Sequence, residues 1–181
     1  MAMATEHETK VLDIDREEVE KKIISLGAEK EPEVFMRRWV FDLNPEGHEW
    51  LRLRDNGHNV TIAYKRKDGM GVSETEEIET AVEDFEKAYE ILSRLHFKAM
   101  YYRESRRQMF RLDDIEFTID TWPGIKPLLE IEAGSGERVN EGLRMLGLEG
   151  KDCGNLCMKE VYKMKGINPD SRKRMTFEDF D

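Results

Sequence analysis

Cysteine is nearly absent from this chain, with two residues in 181, Cys153 and Cys157, four apart in CGNLCM. On a helix they would share a face, but a zinc site needs further Cys or His ligands beside them, and the neighbouring sequence offers none. They read as ordinary reduced thiols. Histidine is scarce too: His7, His48, His58 and His96 are dispersed, and none has a visible partner for acid–base work. No apolar run is long enough to span a bilayer. MAMATEHETK has no basic stretch followed by an apolar one, so a secretory leader is not expected and cytoplasm is the default. Basic charge is in deficit, with a net charge of −10, which argues against general nucleic-acid binding. Low-complexity tracts and interdomain linkers are missing as well. At 39% apolar and 38% charged, residues 1–181 read as one globular domain with a heavily charged exterior.

What is present is charge arranged on strands. Residues 5–14 read as a strand, followed by a helix from the N-cap Asp15 with Val19, Ile23, Ile24 and Leu26 as its apolar stripe and Gly27 as its stop. EVFMRRWVFDL is a strand ending in the turn Asn44–Gly47. Asn56-Gly57-His58 joins EWLRLRD to NVTIAYKRK as a hairpin, because Asn-Gly tolerates the positive φ of a tight turn. GVSETEEIET is a further strand, and Val82, Phe85, Ala88, Tyr89, Leu92 and Leu95 have helical spacing. Asp113-Asp114 joins a second hairpin, KPLLEIEAG adds a strand and SGERVNEGLRMLGL a helix. From about Lys151 a short helix and a polar tail follow. The fold class is α+β, with many antiparallel strands forming a curved or closed sheet.

Alternate residues of a strand share a face, so each strand has an apolar and a charged parity. The charged parity carries Glu6, Glu8 and Lys10; Arg52 and Arg54; Lys65 and Lys67; Glu77 and Glu79; Glu116 and Asp120; Glu130 and Glu132. YYRESRRQMFRL has arginine on both parities. If Tyr102 and Phe110 face the packed side, Arg103, Ser105 and Arg107 face the charged one and Arg106 does not. Two structures account for this pattern. One is a half-exposed sheet with a wet face. The other is a charged cavity with carboxylates on the first and last strands and cations between, built for an anion.

In these residues the chain resembles the CYTH family, the triphosphate tunnel metalloenzymes, which includes class IV adenylyl cyclases, thiamine triphosphatases and inorganic triphosphatases. Its hallmark E-x-E-x-K is matched by EHETK at 6–10. RLR at 52–54, the lysine of AYK, EIE at 77–79, the arginine of RQMF, the aspartate of FTID and EIE at 130–132 follow in family order, over residues 5 to about 150. The resemblance implies a closed eight-stranded antiparallel β tunnel with helices packed outside, and a core at 5–150 with a C-terminal helix and tail at 151–181. It implies a small-molecule triphosphate substrate and Mg²⁺ or Mn²⁺ held by carboxylates. By position, Glu6, Glu8, Glu130 and Glu132 form the metal set, with Glu79 and Asp120 secondary. Lys10, Arg52, Arg54, Lys65, Lys67, Arg103 and Arg107 bind phosphate, and Glu6, Glu8, Lys10 and Arg107 are the catalytic candidates. Hard oxygen ligands suit these ions, and forked guanidinium groups suit phosphate oxygens.

The departures from the family pattern bear on the substrate. Ala63 stands where the family often has Thr, and Ser105 where it often has Lys, with Arg103 on the same parity to supply the charge. TWPGIKP replaces a glycine-rich turn. Trp39, Trp50 and Trp122 read as packing or strand-end aromatics. The tail TFEDF reads as a frayed end, with capping of the tunnel mouth or contact with another subunit as its functional alternatives, and a homodimer is left open. Three functions compete. They are a triphosphatase acting on inorganic or small organic triphosphate, a cyclase making cyclic AMP and pyrophosphate from ATP, and a non-catalytic triphosphate or polyphosphate binder. A cyclase also needs an adenine pocket, which no motif identifies. A mere anion sensor gains little from so many carboxylates.

Overall fold

The computed structural model describes residues 7–44, 49–67 and 75–180, with Lys67 and Thr75 described in backbone only. The chain packs as two compact units, one comprising residues up to Val34 with Arg106–Pro169, the other Phe35–Ser105 with the residues from Asp170 on.

In the first unit, β1 (His7–Val11), β9 (Leu128–Ala133), β8 (Ile115–Thr121) and the end of β7 (Ala99–Leu112) form successive antiparallel pairs. A two-residue strand, β2 (Glu29–Lys30), pairs with the same end of β7. The β7–β8 turn is the two-residue Asp113-Asp114 loop read from the sequence, with Asp113 at φ 52. Helices α1 (Arg16–Ser25) and α3 (Gly136–Leu146) bury one face of this sheet, where Ile115, Phe117, Ile119, Leu129 and Ile131 meet Val19, Ile23, Val139, Leu143 and Leu146. Asp15 caps α1 as expected, its side chain accepting from Glu18 N–H, and Ser135 caps α3 in the same way. Gly142 sits inside α3 because a Cβ there would lie 2.9 Å from Ile131 Cγ2 and 3.3 Å from Phe117 Cε1. The apolar stripe of α1 is narrower than its spacing predicts. Val19 and Ile23 are buried, but Ile24 and Leu26 point outward, since two buried positions one turn apart already fill the contact.

In the second unit, β3 (Val34–Asn44), β4 (Glu49–Asp55), β5 (Val60–Lys67) and β6 (Thr75–Val82) form an antiparallel meander. Helix α2 (Phe85–Arg94) lays Phe85, Ala88 and Leu92 against Trp39, Phe41 and Leu53. Val82 belongs to the end of β6 and not to this helix, because Asp84 caps the helix after it. The Asn56-Gly57 hairpin forms, with Gly57 at φ 85, but its loop runs over four residues. Asn56 Oδ1 accepts from His58 and Asn59 N–H and closes the longer turn. The expected turn at Asn44–Gly47 lies mostly outside the described residues.

After α3 come α4 (Met158–Met164) and a two-residue strand, β10 (Arg174–Met175), parallel to Tyr102 and Arg103 of β7. The tail is therefore not frayed at its start. Met175 and Thr176 are buried, and Phe177 N–H donates to the Glu104 carboxylate. Among the described residues, hydrogen bonds do not close the strand ladder. Among the described residues β6 pairs with β5 alone, and the outer edge of β1 is taken by the segment after α3, through the Val11–Asp152 bridge. The described residues thus form a largely antiparallel sheet with four α-helices, and a closed tunnel is not established by the pairing.

Candidate metal and anion site

Strand register builds the charged face of the first unit. Glu8 lies opposite Glu132, Lys10 opposite Glu130, Glu132 opposite Glu116, Glu130 opposite Thr118, and Asp120 opposite Arg107. The other parity of β8 and β9 is committed to the helices, so these side chains occupy the opposite face. Ligand oxygens of Glu8, Glu130 and Glu132 lie within 4.8 Å of one another. Hard, anionic and clustered oxygens are the donor set that Mg²⁺ or Mn²⁺ prefers. Carboxylates outnumber cations among the described residues of this face, where Glu8, Glu116, Asp120, Glu130 and Glu132 stand with Lys10 and Arg107.

Lys10 is buried, its Nζ 2.9 Å from Glu130 Oε2 and 3.4 Å from Glu8 Oε1. Burial alone would lower its pKa. The hydrogen bond and field of Glu130, with Glu8 adding to them, outweigh burial and raise it. Arg107 forks onto Asp120, Nε to Oδ1 at 2.8 Å and Nη2 to Oδ2 at 2.6 Å, with Glu130 Oε1 at 3.3 Å from Nη2. Burial disfavours the charged guanidinium, but the Asp120 pair overrides it and holds Arg107 above its usual range. Burial pushes the Asp120 carboxyl up, and Arg107 draws it part of the way back. Arg106, on the other parity, is exposed, as the register predicts.

The second unit carries a cationic set on β4 and β5. Arg52 Nη2 bridges Glu77 Oε1 at 3.1 Å and Glu79 Oε2 at 3.2 Å, Lys65 Nζ is 2.7 Å from Glu77 Oε2, and Arg54 Nη2 is 3.9 Å from Glu79 Oε2. Thr61 donates to Glu79. Burial would raise the pKa of Glu77, but Lys65, then Arg52 and Arg54, lower it. Two carboxylates of β6 thus partly offset three cations of β4 and β5, and the buried Arg52 Nε makes no hydrogen bond among the described residues. Arg38 lies opposite Arg54 in register, a basic residue that the ambiguous RR pair of β3 conceals in the sequence. Trp50 shares the charged parity of β4, opposite Lys65.

Glu79 and Asp120, the secondary metal candidates, are each engaged by arginine and stand outside the Glu8–Glu130–Glu132 group. Arg103 is buried, its Nη1 donating to the carbonyls of Tyr102 (2.8 Å) and Lys173 (3.4 Å) and its guanidinium lying over the Tyr101 ring. The tail that docks on β7 accounts for that contact, and nothing in the Arg103 sequence context announces it. Glu6 lies outside the described residues, as does the Lys67 side chain. Trp39 is a packing residue, stacked on Tyr89 at 4.6 Å between centroids.

The CYTH domain family matches residues 4–152, and the chain belongs to that family. A Methanocaldococcus jannaschii protein named "Putative adenylate cyclase MJ0240" is 32% identical over 133 residues, covering 73% of this chain and 70% of that protein. The PH1012 protein of Pyrococcus horikoshii OT3 superposes with a TM-score of 0.62 at 26% identity, over 82% of this chain and 93% of its own. HpAC1 of Hippeastrum, described as a "putative adenylyl cyclase" with a dominant triphosphatase activity, superposes with a TM-score of 0.55 at 15% identity. That match covers 90% of this chain and 97% of the other, and it is a likeness of fold. No helix among the described residues is long and apolar enough to cross a membrane.

Proposed function

We propose that this protein is a cytoplasmic, metal-dependent phosphohydrolase acting on inorganic triphosphate or a small organic or nucleoside triphosphate. The observation that carries it is the group of three carboxylates, Glu8, Glu130 and Glu132, with Lys10 and Arg107 hydrogen-bonded into the same cluster. These carboxylates would hold Mg²⁺ or Mn²⁺, and Glu6 joins them by its place in E-x-E-x-K. An ion held there would neutralise phosphate charge and make a water molecule more acidic. The remaining steps belong to the chain. Lys10 and Arg107 bind phosphate oxygens, exchanging carboxylate partners for the substrate, and the family resemblance assigns Arg52, Arg54 and Lys65 the same task. Water attacks the terminal phosphorus and gives its proton to a carboxylate of the cluster. The bond from that phosphorus to the bridging oxygen breaks, and the leaving oxygen is stabilised by guanidinium charge. The closed tunnel that the family resemblance implies belongs to this proposal, as do Lys67 and a monomer or homodimer without nucleic-acid or membrane partners.

Cyclase activity is the second reading. The archaeal relative's name favours it, and Trp50, on the cation-bearing face of β4, offers a ring on which adenine could stack. Hydrolysis ranks first because it needs only the carboxylates and cations already described. Purified protein incubated with Mg²⁺ or Mn²⁺ and, separately, triphosphate, ATP and thiamine triphosphate separates the two. Phosphate release is expected. Cyclic AMP and pyrophosphate from ATP, reduced in Trp50→Leu, would establish the cyclase instead.

A further inference from the structure

At the end of the family's matched residues, the chain returns to β1. Lys10 N–H donates to Gly154 O at 3.1 Å and Cys153 N–H to Lys10 O at 2.8 Å, while Thr9 Oγ1 donates to Asp152 Oδ2 at 3.1 Å. Residues 152–154 therefore run along the outer edge of β1 as a hydrogen-bonded strap. The strap delivers Asn155, whose Oδ1 lies 3.2 Å from Lys10 Nζ. A lysine ammonium has three hydrogen atoms to donate. Here they have three acceptors, Glu8 at 3.4 Å, Glu130 at 2.9 Å and Asn155 at 3.2 Å. Two of the three are carboxylates of the proposed metal group, and the third is neutral.

We propose that Asn155 is a positioning residue for Lys10, holding the ammonium in place when Glu8 and Glu130 turn to a metal ion. The inference rests on the metal-dependent reading above. An amide suits the task for two reasons. Its oxygen accepts from the ammonium without adding negative charge beside an incoming phosphate. It also has little affinity for a hard cation next to three carboxylates, so it does not leave Lys10 when the ion arrives. A lysine stem has four rotatable carbons, and losing its last fixed acceptor would spread the charge over several positions.

The test uses the full-length protein, with Asn155→Ala and Asn155→Asp. Acetic anhydride labelling of Lys10 is measured by peptide mass spectrometry with and without Mg²⁺, using the exposed Lys87 as internal reference. Asn155→Ala is expected to raise Lys10 labelling at least about threefold in Mg²⁺, consistent with loss of one hydrogen bond to a charged group. Binding of inorganic triphosphate should weaken by about tenfold, and the same substitution should have no further effect in a Lys10→Ala background. In turnover the loss should fall on KM more than on kcat. Asn155→Asp, of the same shape, should raise KM further by placing a fixed negative charge at the ammonium. Unchanged labelling in both conditions, or an Asn155→Ala effect that adds in full to Lys10→Ala, would overturn the assignment. A labelling change in a protein that binds no triphosphate would uphold Asn155 as the partner of Lys10 and overturn the triphosphate reading instead.

Discussion

Arg106 and Arg107 are adjacent arginines with opposite fates. Arg107 is forked onto Asp120 and touches Glu130, while Arg106 is exposed. Arg107→Ala is expected to weaken triphosphate binding by roughly 10- to 100-fold, the range for loss of charge-assisted hydrogen bonds. Arg106→Ala should change it by less than about twofold, as surface substitutions usually do. Titration calorimetry on both variants checks this, and reversed effects would mean that β7 is out of register. The difference was legible in the sequence because Tyr102 and Phe110 fix the packed parity of β7. Arg103 was not legible in the same way. It has the parity of Arg107, but its partners are backbone carbonyls, one from Lys173, and alternation within a strand carries no information about a distant segment. Asn155 was hidden for the same reason, since its role depends on a strap 145 residues away from Lys10. The shared face of Glu8, Lys10, Glu130 and Glu132 was readable because two-residue periodicity sorts a face whatever lies beyond it.

Elements impose their own constraints. Gly142 brings α3 close to β8 and β9, and Gly142→Ala forces a Cβ to 2.9 Å from Ile131 Cγ2. Overpacking of that kind costs about 1–3 kcal/mol, and the better helix propensity of alanine returns about 1 kcal/mol. A melting temperature lower by a few degrees is expected by differential scanning calorimetry, and an increase would show that α3 can shift outward at no cost. On β4–β6 the ion pairs tie stability to pH. Glu77 has a pKa below the usual carboxylate value in the fold. Its contribution is therefore present above the unfolded-state pKa and is lost as pH falls through the lower, folded-state value. Glu77→Gln removes both the contribution and its titration. The variant should be less stable than wild type at pH 7, and the gap should narrow in acid below the ordinary carboxylate range. A gap of constant size in thermal melts across pH 7 to 3 would show that Glu77 does not stabilise by its charge. Element boundaries were less legible than faces. Val82 fits the helical spacing that follows it but is held by the pairing with Val60, and a local pattern does not register a partner strand.

At the scale of the whole molecule, an acidic chain pairs the cations of its charged strand faces with carboxylates. That arrangement avoids leaving buried charge uncompensated before a ligand arrives. Arg52, Lys65, Lys10 and Arg107 all have carboxylate partners in the structure. On the proposed reading, phosphate oxygens would replace the carboxylate partners of the cations and a divalent ion would replace the cation partners of the carboxylates. The most direct measurement is ³¹P NMR of inorganic triphosphate incubated with the protein and Mg²⁺, repeated with excess EDTA and with Glu130→Gln. The wild-type sample should lose the triphosphate signals and gain those of phosphate and pyrophosphate, with neither change in the EDTA or Glu130→Gln samples. Triphosphate that persists with the wild-type protein, or that disappears equally fast in all three, would contradict a metal-dependent triphosphatase built on Glu8, Glu130 and Glu132.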